Sequence, residues 1–414
     1  MRFLHISDLH FGKSLHGVSL LENKDQGFWV ERFLELAEEE KPDAVVIAGD
    51  VYDRSAPSGD AVELLSGLLT ALSDLSVPVM MVAGNHDSAQ RLSFAGPLLA
   101  KQGLHISRPL FDSPELAHAT LEDEHGPVTF WLMPYVYPAL VSRALGDDSI
   151  RDNDSAVRAL LAAQDVDFSQ RNVLIAHQNV TANGVEGLRG GSETMVGGVG
   201  QVDYTAFDGF DYVALGHIHA AYPVGRESVR YAGSPLCYHF DEVRQPRKGP
   251  LLVELGEKGE PVRVELREIP PLHPMRVIRG AFEEIQAQEL ASSRKDEYLR
   301  LVLTDRRLSP ETVSFFDELF RSRGSVLMDR ASEYDPFRAE AGAPASGAVE
   351  RKGVDELFCD FYADRTGGTP PAEEDMELLA FARELAGRAD IHAAPTEKEI
   401  DSILDYMLKQ EERA

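Results

Sequence analysis

The sequence is poor in cysteine, in basic charge and in long apolar runs. Its two cysteines, Cys237 and Cys359, belong to no Cys-x-x-Cys pair, which excludes a disulfide framework and argues against a thiolate zinc site. No stretch reaches the roughly 18 apolar residues that a transmembrane helix needs, and the first ten residues, MRFLHISDLH, lack the organisation of a signal peptide. We therefore expect a protein of the reducing cytoplasm with no membrane segment.

Acidic residues outnumber basic ones by 69 to 41, so the formal net charge of the 414 residues is −28. This is not the broad basic footprint of a protein that holds DNA by overall charge. Any anionic substrate must instead be bound by metal ions, by a local basic patch or through a partner. Hydrophobic residues make up 43% and charged residues 27%, which is the balance of a folded globular chain.

The order of the apolar patterns predicts an α/β (α+β) chain. Near residues 3–7, 44–48 and 77–83, apolar runs of strand length alternate with helical stripes near residues 28–37 and 62–72. Further strands are expected along the chain, with few helices between the later ones. Strands that alternate with helices predict βαβ units, in which polar residues gather at the carboxyl ends of the strands.

Proline and composition suggest four segments. Residues 1–270 are expected to form one large domain that ends at a Pro-Pro pair. Residues 272–335 are expected to form a small α+β domain, with strands near residues 275–279 and 298–303 and a helix near residues 311–320. Residues 336–353 are rich in Ala, Gly and Pro and are predicted to be a linker. Residues 354–414 carry helical patterns and are predicted to form a tail.

Polar clusters follow five of the predicted strands. Each cluster by itself could be an ordinary turn, but together they supply carboxylate, imidazole and amide groups, which bind divalent transition metals. Glycine precedes three of the clusters and is expected to let the chain turn sharply. The clusters are Asp8-Leu9-His10, Gly49-Asp50-Val51-Tyr52-Asp53, Gly84-Asn85-His86-Asp87, Ala176-His177-Gln178 and Gly216-His217-Ile218-His219.

This set of motifs resembles the calcineurin-like metallophosphoesterase superfamily. The segments SDLHFGKSLHG, GDVYDRSAPS, AGNHDSAQRL, FDYVALGHIH and YAGSPLCYHFDE narrow the resemblance to its SbcD family of bacterial nuclease subunits. The resemblance covers residues 1 to about 245 and continues more loosely through the small domain, and the tail segment VDELFCDFY is also similar. It implies a β-sandwich flanked by helices, a small α+β domain that caps the site and contacts DNA, and a helical tail.

The resemblance also implies two divalent metal ions. Manganese is the expected ion, with Mg²⁺, Fe²⁺ and Zn²⁺ as alternatives. The implied ligands are Asp8, His10, Asp50 and His219 for one ion, and Asp50, Asn85, His177 and His217 for the other. Chemistry agrees, because two adjacent ions need a bridging carboxylate, and a site with only two carboxylates keeps a local positive charge that suits a phosphodiester.

Three further residues are candidates for roles beside the metals. His86 follows a ligand, and we expect it to protonate or polarise the leaving oxygen. Asp53 would then pair with His86 and oppose the loss of its proton, although a role as a turn cap is nearly as well supported. Arg54 is a weaker candidate for a phosphate contact.

The resemblance implies an ATP-dependent double-strand 3′→5′ exonuclease and single-strand endonuclease that processes DNA ends and hairpins in repair, recombination and replication. It implies an SbcC-like ATPase partner bound through the C-terminal helices, and a homodimer within a heterotetramer. The apolar helix near residues 62–75 and the aromatic stripe of the tail fit such interfaces. Two other functions stay open: a metallophosphoesterase acting on a cyclic nucleotide or a phosphoprotein, and a non-catalytic scaffold.

Overall fold

The chain divides into two compact units, Met1–Tyr334 and Asp335–Ala414. The predicted linker, residues 336–353, and most of the predicted tail lie outside the described residues. Within the second unit, Phe358 and Tyr362 are helical and their ring centroids are 5.9 Å apart. The structure is a computed structural model, and it describes residues 1–111, 113–182, 184, 200–245 and 247–334, together with residues 358, 359, 362, 371, 372 and 376.

The strands are short, and most of those near the centre are apolar on both faces. In chain order they are β1 (Arg2–Ile6), β2 (Ser14–Leu15), β3 (Val18–Ser19), β4 (Ala44–Ala48), β5 (Val79–Val82), β6 (Leu104–Ile106), β7 (Ala117–Asp123), β8 (Gly126–Met133), β9 (Arg171–His177), β10 (Asn179–Thr181), β11 (Gln201–Asp203), β12 (Tyr212–Gly216), β13 (Pro223–Val224), β14 (Arg226–Tyr231), β15 (Leu251–Glu254), β16 (Arg263–Leu266), β17 (Met275–Gly280), β18 (Tyr298–Leu303) and β19 (Val326–Ser332).

Several helices begin at a polar cap. Ser58 and Ser309 accept hydrogen bonds from the main-chain N–H groups of the first turns of α2 and α8, and Asp152 forms a capping box at α6. Within the described ranges, no helix is long and apolar enough to span a membrane. Over the described residues of the first unit, the α-helices are α1 (Asp25–Glu40), α2 (Gly59–Asp74), α3 (Ala89–Leu92), α4 (Gly96–Leu99), α5 (Pro138–Leu145), α6 (Asn153–Ala162), α7 (Phe282–Ala291) and α8 (Pro310–Arg321).

Two six-stranded sheets form the body of the first unit. Their strand orders are β16-β15-β1-β4-β5-β6 and β13-β14-β12-β9-β8-β7. The central strands are parallel within each sheet, β1 with β4 and β5 in the first and β8 with β9 and β12 in the second. Because parallel neighbours end at the same edge, the segments that follow β1, β4 and β5 lie side by side, as do those that follow β9 and β12.

The two sheets pack face to face around an apolar core. Phe3 of β1 lies edge-on against Phe130 and Tyr212 of the second sheet, with ring centroids 5.6 Å apart in both pairs. Alternate residues of one strand serve different layers, so that Val46 belongs to the core between the sheets while Ile47 belongs to the core under the helices. This arrangement is a β-sandwich.

Helices cover both outer faces of the sandwich. Trp29 and Phe33 of α1 and Leu68 of α2 are buried against the first sheet. Val141 of α5 and Val157 of α6 are buried against the second sheet. The predicted β-sandwich flanked by helices is therefore confirmed.

The small predicted domain contains a three-stranded sheet, β17-β18-β19, in which every pairing is parallel. Helix α7 connects β17 to β18, and α8 connects β18 to β19. Phe316 and Phe320 of α8 are fully buried against this sheet. The sequence interpretation identified β17, β18 and α8 but missed α7 and β19, so it described as α+β a region whose order is βαβαβ.

This βαβαβ region contacts the amino end of α1 through one buried carboxylate. Asp25, 2% exposed, accepts hydrogen bonds from the Tyr298 hydroxyl at 2.6 Å and from His273 Nδ1 at 2.8 Å. The next residue, Gln26, donates from Nε2 to the His10 carbonyl oxygen at 2.8 Å. The first turn of α1 therefore joins the βαβαβ region to the loop that carries His10.

Candidate metal centre

The polar clusters found in the sequence converge where the central strands of both sheets end. Asp8 follows β1, Asp50 follows β4 and Asn85 follows β5, while His177 ends β9 and His217 follows β12. The first three belong to one sheet and the two histidines to the other. The site therefore lies across the open edge of the sandwich and takes side chains from both layers.

The predicted ligands form one cluster around Asp50. The Asn85 side-chain oxygen lies 3.0 Å from His177 Nε2 and 3.1 Å from His217 Nδ1, which joins the amide to two histidines. Three further triplets have ligand atoms that all lie within 4.8 Å of one another: Asp8, His10 and His219; His10, Asp50 and His86; and Asp8, Asp50 and His177. The structure thus brings all seven predicted ligands together.

Four of these residues have positive φ angles, a conformation that is uncommon outside glycine. The φ angles are 54° for Asp8, 44° for His10, 47° for Asp50 and 102° for His217. Each such residue costs on the order of 1–3 kcal/mol unless its surroundings compensate. Strained backbone gathered at one polar cluster is typical of a functional site, and it was not visible in the sequence.

The glycines beside the ligands are required mainly because nothing larger fits. A Cβ on Gly216 would lie 1.9 Å from the Ala48 carbonyl oxygen, and one on Gly84 would lie 2.1 Å from the Asp50 carboxylate. Of the three glycines that precede a cluster, only Gly49 has a positive φ, 86°. The expected sharp turn therefore holds at Gly49, whereas the other two allow the segments to approach each other closely.

His177 is oriented by a main-chain carbonyl. Its Nδ1 lies 2.8 Å from the Ala48 oxygen and donates to it, so Nε2 faces Asn85 and lies 3.3 Å from Asp50 Oδ2. Burial works to lower the pKa of His177, but the Asp50 and Asp8 carboxylates and the hydrogen bond to Ala48 together outweigh burial and raise the pKa to about 9. A position where a fully buried imidazole keeps its proton is one that favours a cation.

His10 and His217 provide the test of whether a metal fits. Both ring nitrogens of His10 and Nε2 of His217 are buried without a hydrogen-bond partner. Burial lowers the pKa of His217 to about 3 and holds the pKa of His10 well below its usual value, so both rings are neutral near pH 7. Buried polar atoms normally have hydrogen-bond partners. Neutral imidazole nitrogens that lack such a partner are therefore suited to bind a metal ion.

The two carboxylates of the cluster differ in electrostatic environment. Burial raises the pKa of Asp8 to about 6. Burial works in the same direction at Asp50, but the protonated ring of His177 beside it holds the pKa of Asp50 below its usual range. The surroundings therefore favour the ionised form more strongly at Asp50 than at Asp8.

His86 lies beside the cluster and is open to solvent. Its side chain is 42% exposed, its Nε2 is 3.9 Å from Asp50 Oδ2, and its main-chain N–H donates to Asp50 Oδ1 at 2.9 Å. Its Nδ1 lies 3.0 Å from the main-chain oxygen of Asp53. The ring is therefore held at Nδ1 with Nε2 toward the cluster, where a substrate oxygen can reach it.

Asp53 and Arg54 differ from their expected arrangement. The Asp53 carboxylate turns away from His86, accepts from Lys13 Nζ at 2.8 Å and lies 3.6 Å from His10 Nδ1. Asp53 contacts His86 through its main-chain carbonyl, so the expected carboxylate pairing is replaced by a neutral acceptor. The Arg54 side chain is 82% exposed and its Nε is 3.8 Å from Asp53 Oδ2, which leaves it at the rim of the site.

Two carboxylates that the sequence interpretation did not assign support the cluster. Asp87 accepts from the main-chain N–H groups of Val51, Tyr52 and Gly84, and so joins two ligand-bearing loops. Glu242 lies in the short helical segment Phe240–Arg244 and contacts His219 Nδ1 at 3.1 Å. Asp87 could have been noticed because it belongs to a ligand motif, but nothing local distinguishes Glu242 from a solvated acid.

Two family models match this chain. The model described as calcineurin-like phosphoesterase matches residues 1–221, which is more than half of the chain and includes every predicted metal ligand. The model SbcD_C, described as type 5 capsule protein repressor C-terminal domain, matches residues 271–366.

Curated relatives agree with these matches. The SbcD subunit of nuclease SbcCD from Staphylococcus saprophyticus is 33% identical over 342 residues, which cover 79% of this chain and 87% of the relative. The protein of the same name from Staphylococcus epidermidis is 32% identical over 310 residues, 74% of this chain and 79% of the relative. From the two sheets, the ligand cluster at their shared edge and these matches, we conclude that the chain belongs to the SbcD family of calcineurin-like phosphoesterases.

Proposed function

We propose that this protein is the nuclease subunit of an SbcC–SbcD-type complex, a two-metal phosphodiesterase that acts on DNA. The observation that carries the proposal is the cluster around Asp50, in which buried imidazole nitrogens of His10 and His217 that have no hydrogen-bond partner meet two carboxylates and an amide oxygen. The relatives named as nuclease subunits support DNA as the substrate. We assign one ion to Asp8, His10, Asp50 and His219, and the other to Asp50, Asn85, His177 and His217.

Asp50, His177 and His86 have distinct roles in the proposed hydrolysis. When bound, two divalent ions, for which we expect manganese, activate water as a nucleophile and stabilise negative charge on the phosphoryl group. Asp50, which belongs to two of the three triplets, would be shared by the two ions, and the Ala48 carbonyl orients His177 with Nε2 toward the cluster. His86, anchored through Nδ1, delivers a proton from Nε2 to the leaving oxygen.

The finer activities and partners are part of the same proposal. We expect an SbcC-like ATPase to bind the C-terminal segment, residues 354–414, beyond a linker at residues 336–353, and to confer ATP dependence on double-strand 3′→5′ exonuclease and single-strand endonuclease activities. The net charge of −28 supports a partner that supplies most of the DNA affinity. We expect homodimerisation through α2, where Leu64 and Leu69 are half-buried and Val62 is 45% exposed.

The proposal is tested by cleavage of linear duplex DNA and of single-stranded circles with Mn²⁺, with and without the ATPase partner, over a series of salt concentrations. We expect partner-dependent, ATP-dependent cleavage of the duplex whose salt sensitivity weakens when the partner is present. Deleting residues 350–414 should abolish the ATP response and spare hydrolysis of a simple phosphodiester such as bis-p-nitrophenyl phosphate. Asp50→Asn should abolish both.

The same assay distinguishes the proposed function from the two alternatives. Efficient hydrolysis of a cyclic nucleotide or a phosphoprotein, with no cleavage of either DNA, would replace the proposed substrate while keeping the metal centre. Absence of manganese-dependent turnover on every phosphoester would leave a scaffold.

A further inference from the structure

Glu242 is a buried carboxylate directly behind one of the candidate metal ligands. It is 4% exposed, and burying an ionised carboxylate is costly unless it is paired and hydrogen-bonded. Its Oε1 lies 3.1 Å from His219 Nδ1, and its Oε2 accepts from Lys248 Nζ at 2.7 Å. One oxygen of Glu242 therefore contacts the His219 ring, and the other contacts Lys248, which also binds the main chain of His219.

Lys248 completes the arrangement. Besides Glu242, its ammonium donates to the His219 carbonyl oxygen at 2.9 Å and to Ser234 Oγ at 2.7 Å, so three acceptors match its three protons. Its charge offsets that of Glu242, so the carboxylate adds no net charge beside the metals. Lys248 also holds the main chain of His219, which leaves Glu242 to hold the ring.

We propose that Glu242, supported by Lys248, is a positioning residue for one metal ion of the pair, the ion assigned to His219. A proton on His219 Nδ1 donated to Glu242 fixes the tautomer in which Nε2 carries the lone pair. The ring is also held between His10 and Tyr238, with centroid distances of 5.3 and 5.5 Å. A hydrogen bond to a carboxylate makes the ligating nitrogen more basic and strengthens metal binding.

The second metal position has no equivalent carboxylate in the described part of the chain. Its ligand His177 donates from Nδ1 to the neutral Ala48 carbonyl, and His217 Nδ1 faces the Asn85 oxygen, which is itself an assigned ligand of that ion. Removing the charge of Glu242 should therefore weaken one ion selectively. This asymmetry is the specific consequence of the inference, which rests on the proposed two-metal function.

The test is titration of the full chain with Mn²⁺, followed by metal analysis and electron paramagnetic resonance. Wild type should bind two ions and give a spin-coupled signal. In Glu242→Gln, the affinity at one position should fall by about 10–100-fold and the other should stay at the wild-type value, so a mononuclear signal appears at intermediate Mn²⁺. In an Asn85→Ala background the remaining ion should be sensitive to Glu242→Gln, and in a His10→Ala background it should be insensitive.

A matched control is Glu289→Gln. Glu289 is also 4% exposed and paired with a cation, Arg276 Nη1 at 2.7 Å, but it lies in the βαβαβ region. The Glu289→Gln protein should be less stable than wild type but should bind Mn²⁺ with unchanged affinity. If Glu242→Gln does not fold, the double variant Glu242→Gln/Lys248→Met, which removes both buried charges, is used instead. It should show the same selective fall in Mn²⁺ affinity at one position.

Two outcomes overturn the inference. A folded Glu242→Gln protein that binds both ions with wild-type affinity would show that the carboxylate does not support ligation. Equal weakening of both ions would show a general structural role. A wild-type chain that binds fewer than two ions would instead overturn the proposed function, so the two failures can be told apart.

Discussion

Replacing His86 by Gln separates proton transfer from metal binding. The ring is 42% exposed, and the hydrogen bond to Asp50 Oδ1 comes from the main chain, so the substitution leaves that contact in place. We expect a stability change below about 1 kcal/mol. A positioned general acid contributes about 10²–10⁴-fold, or roughly 3–5 kcal/mol of the barrier. The rate of DNA cleavage should fall by that factor while two Mn²⁺ ions stay bound.

The choice of leaving group makes the assay specific. An alkoxide leaving from DNA needs a proton, whereas p-nitrophenolate leaves as a stable anion, so single-turnover rates are measured on an oligonucleotide and on bis-p-nitrophenyl phosphate. The large loss should appear with the oligonucleotide and shrink to less than about tenfold with the nitrophenyl ester. Mn²⁺ stoichiometry is measured on the same samples.

The control is His125→Gln, a histidine in the β7–β8 turn at the opposite end of the sandwich, which should change neither rate. Equal losses on the two substrates would refute the role as an acid. Loss of one ion would instead make His86 a ligand, an alternative with a geometric basis because His86 lies with His10 and Asp50 in one of the three triplets.

Three further predictions concern the scaffold. Gly216→Ala places a Cβ 1.9 Å from a main-chain oxygen of the other sheet, so it should lower the free energy of unfolding by more than about 2 kcal/mol and weaken Mn²⁺ binding. The control Gly67→Ala, whose Cβ would have nothing within 4 Å, should leave the stability unchanged or raise it when both variants are compared by thermal unfolding. Hydrogen bonds from Arg171 and the amino terminus hold the pKa of Asp123 below its ordinary 3.8. Their stabilisation is complete well above pH 3.8, begins to fall below it and is fully lost only below the lowered pKa of the folded protein. Urea unfolding at about pH 7 and about pH 3 should show the first part of this loss, and Asp123→Asn should remove it. Tyr298→Phe removes a 2.6 Å hydrogen bond to the buried carboxylate of α1 and should lower the free energy of unfolding by about 1–2 kcal/mol; an unchanged urea midpoint would contradict this.

Fully buried elements were the easiest to predict. Strand β4 was predicted at residues 44–48 and is found at Ala44–Ala48, because a parallel strand covered on both faces is a continuous apolar run. Helix α7 was missed, since its sequence FEEIQAQELA has only a weak apolar stripe. Strand β19 was missed because its exposed positions alternate irregularly and its pairing with β18 contains a register shift.

The residues of the site also differ in how well the sequence predicts them. Residue type and position after a strand were enough to identify the candidate ligands, because few side chains bind divalent metals and parallel strands end at a common edge. The residues that orient those ligands were not identifiable. Ala48 presents only a carbonyl to His177, and Glu242 reaches His219 from 23 positions away along the chain.

The amino-acid sequence by itself determined the donor atoms, the strands that carry them and the family to which the chain belongs, because these depend on residue identity and on short-range periodicity. Only the tertiary structure decided which nitrogen of each histidine faces the cluster, where the Asp53 carboxylate turns and which glycines have no room for a side chain. Those features depend on how two sheets approach each other, and that distance is set by packing between residues remote in sequence.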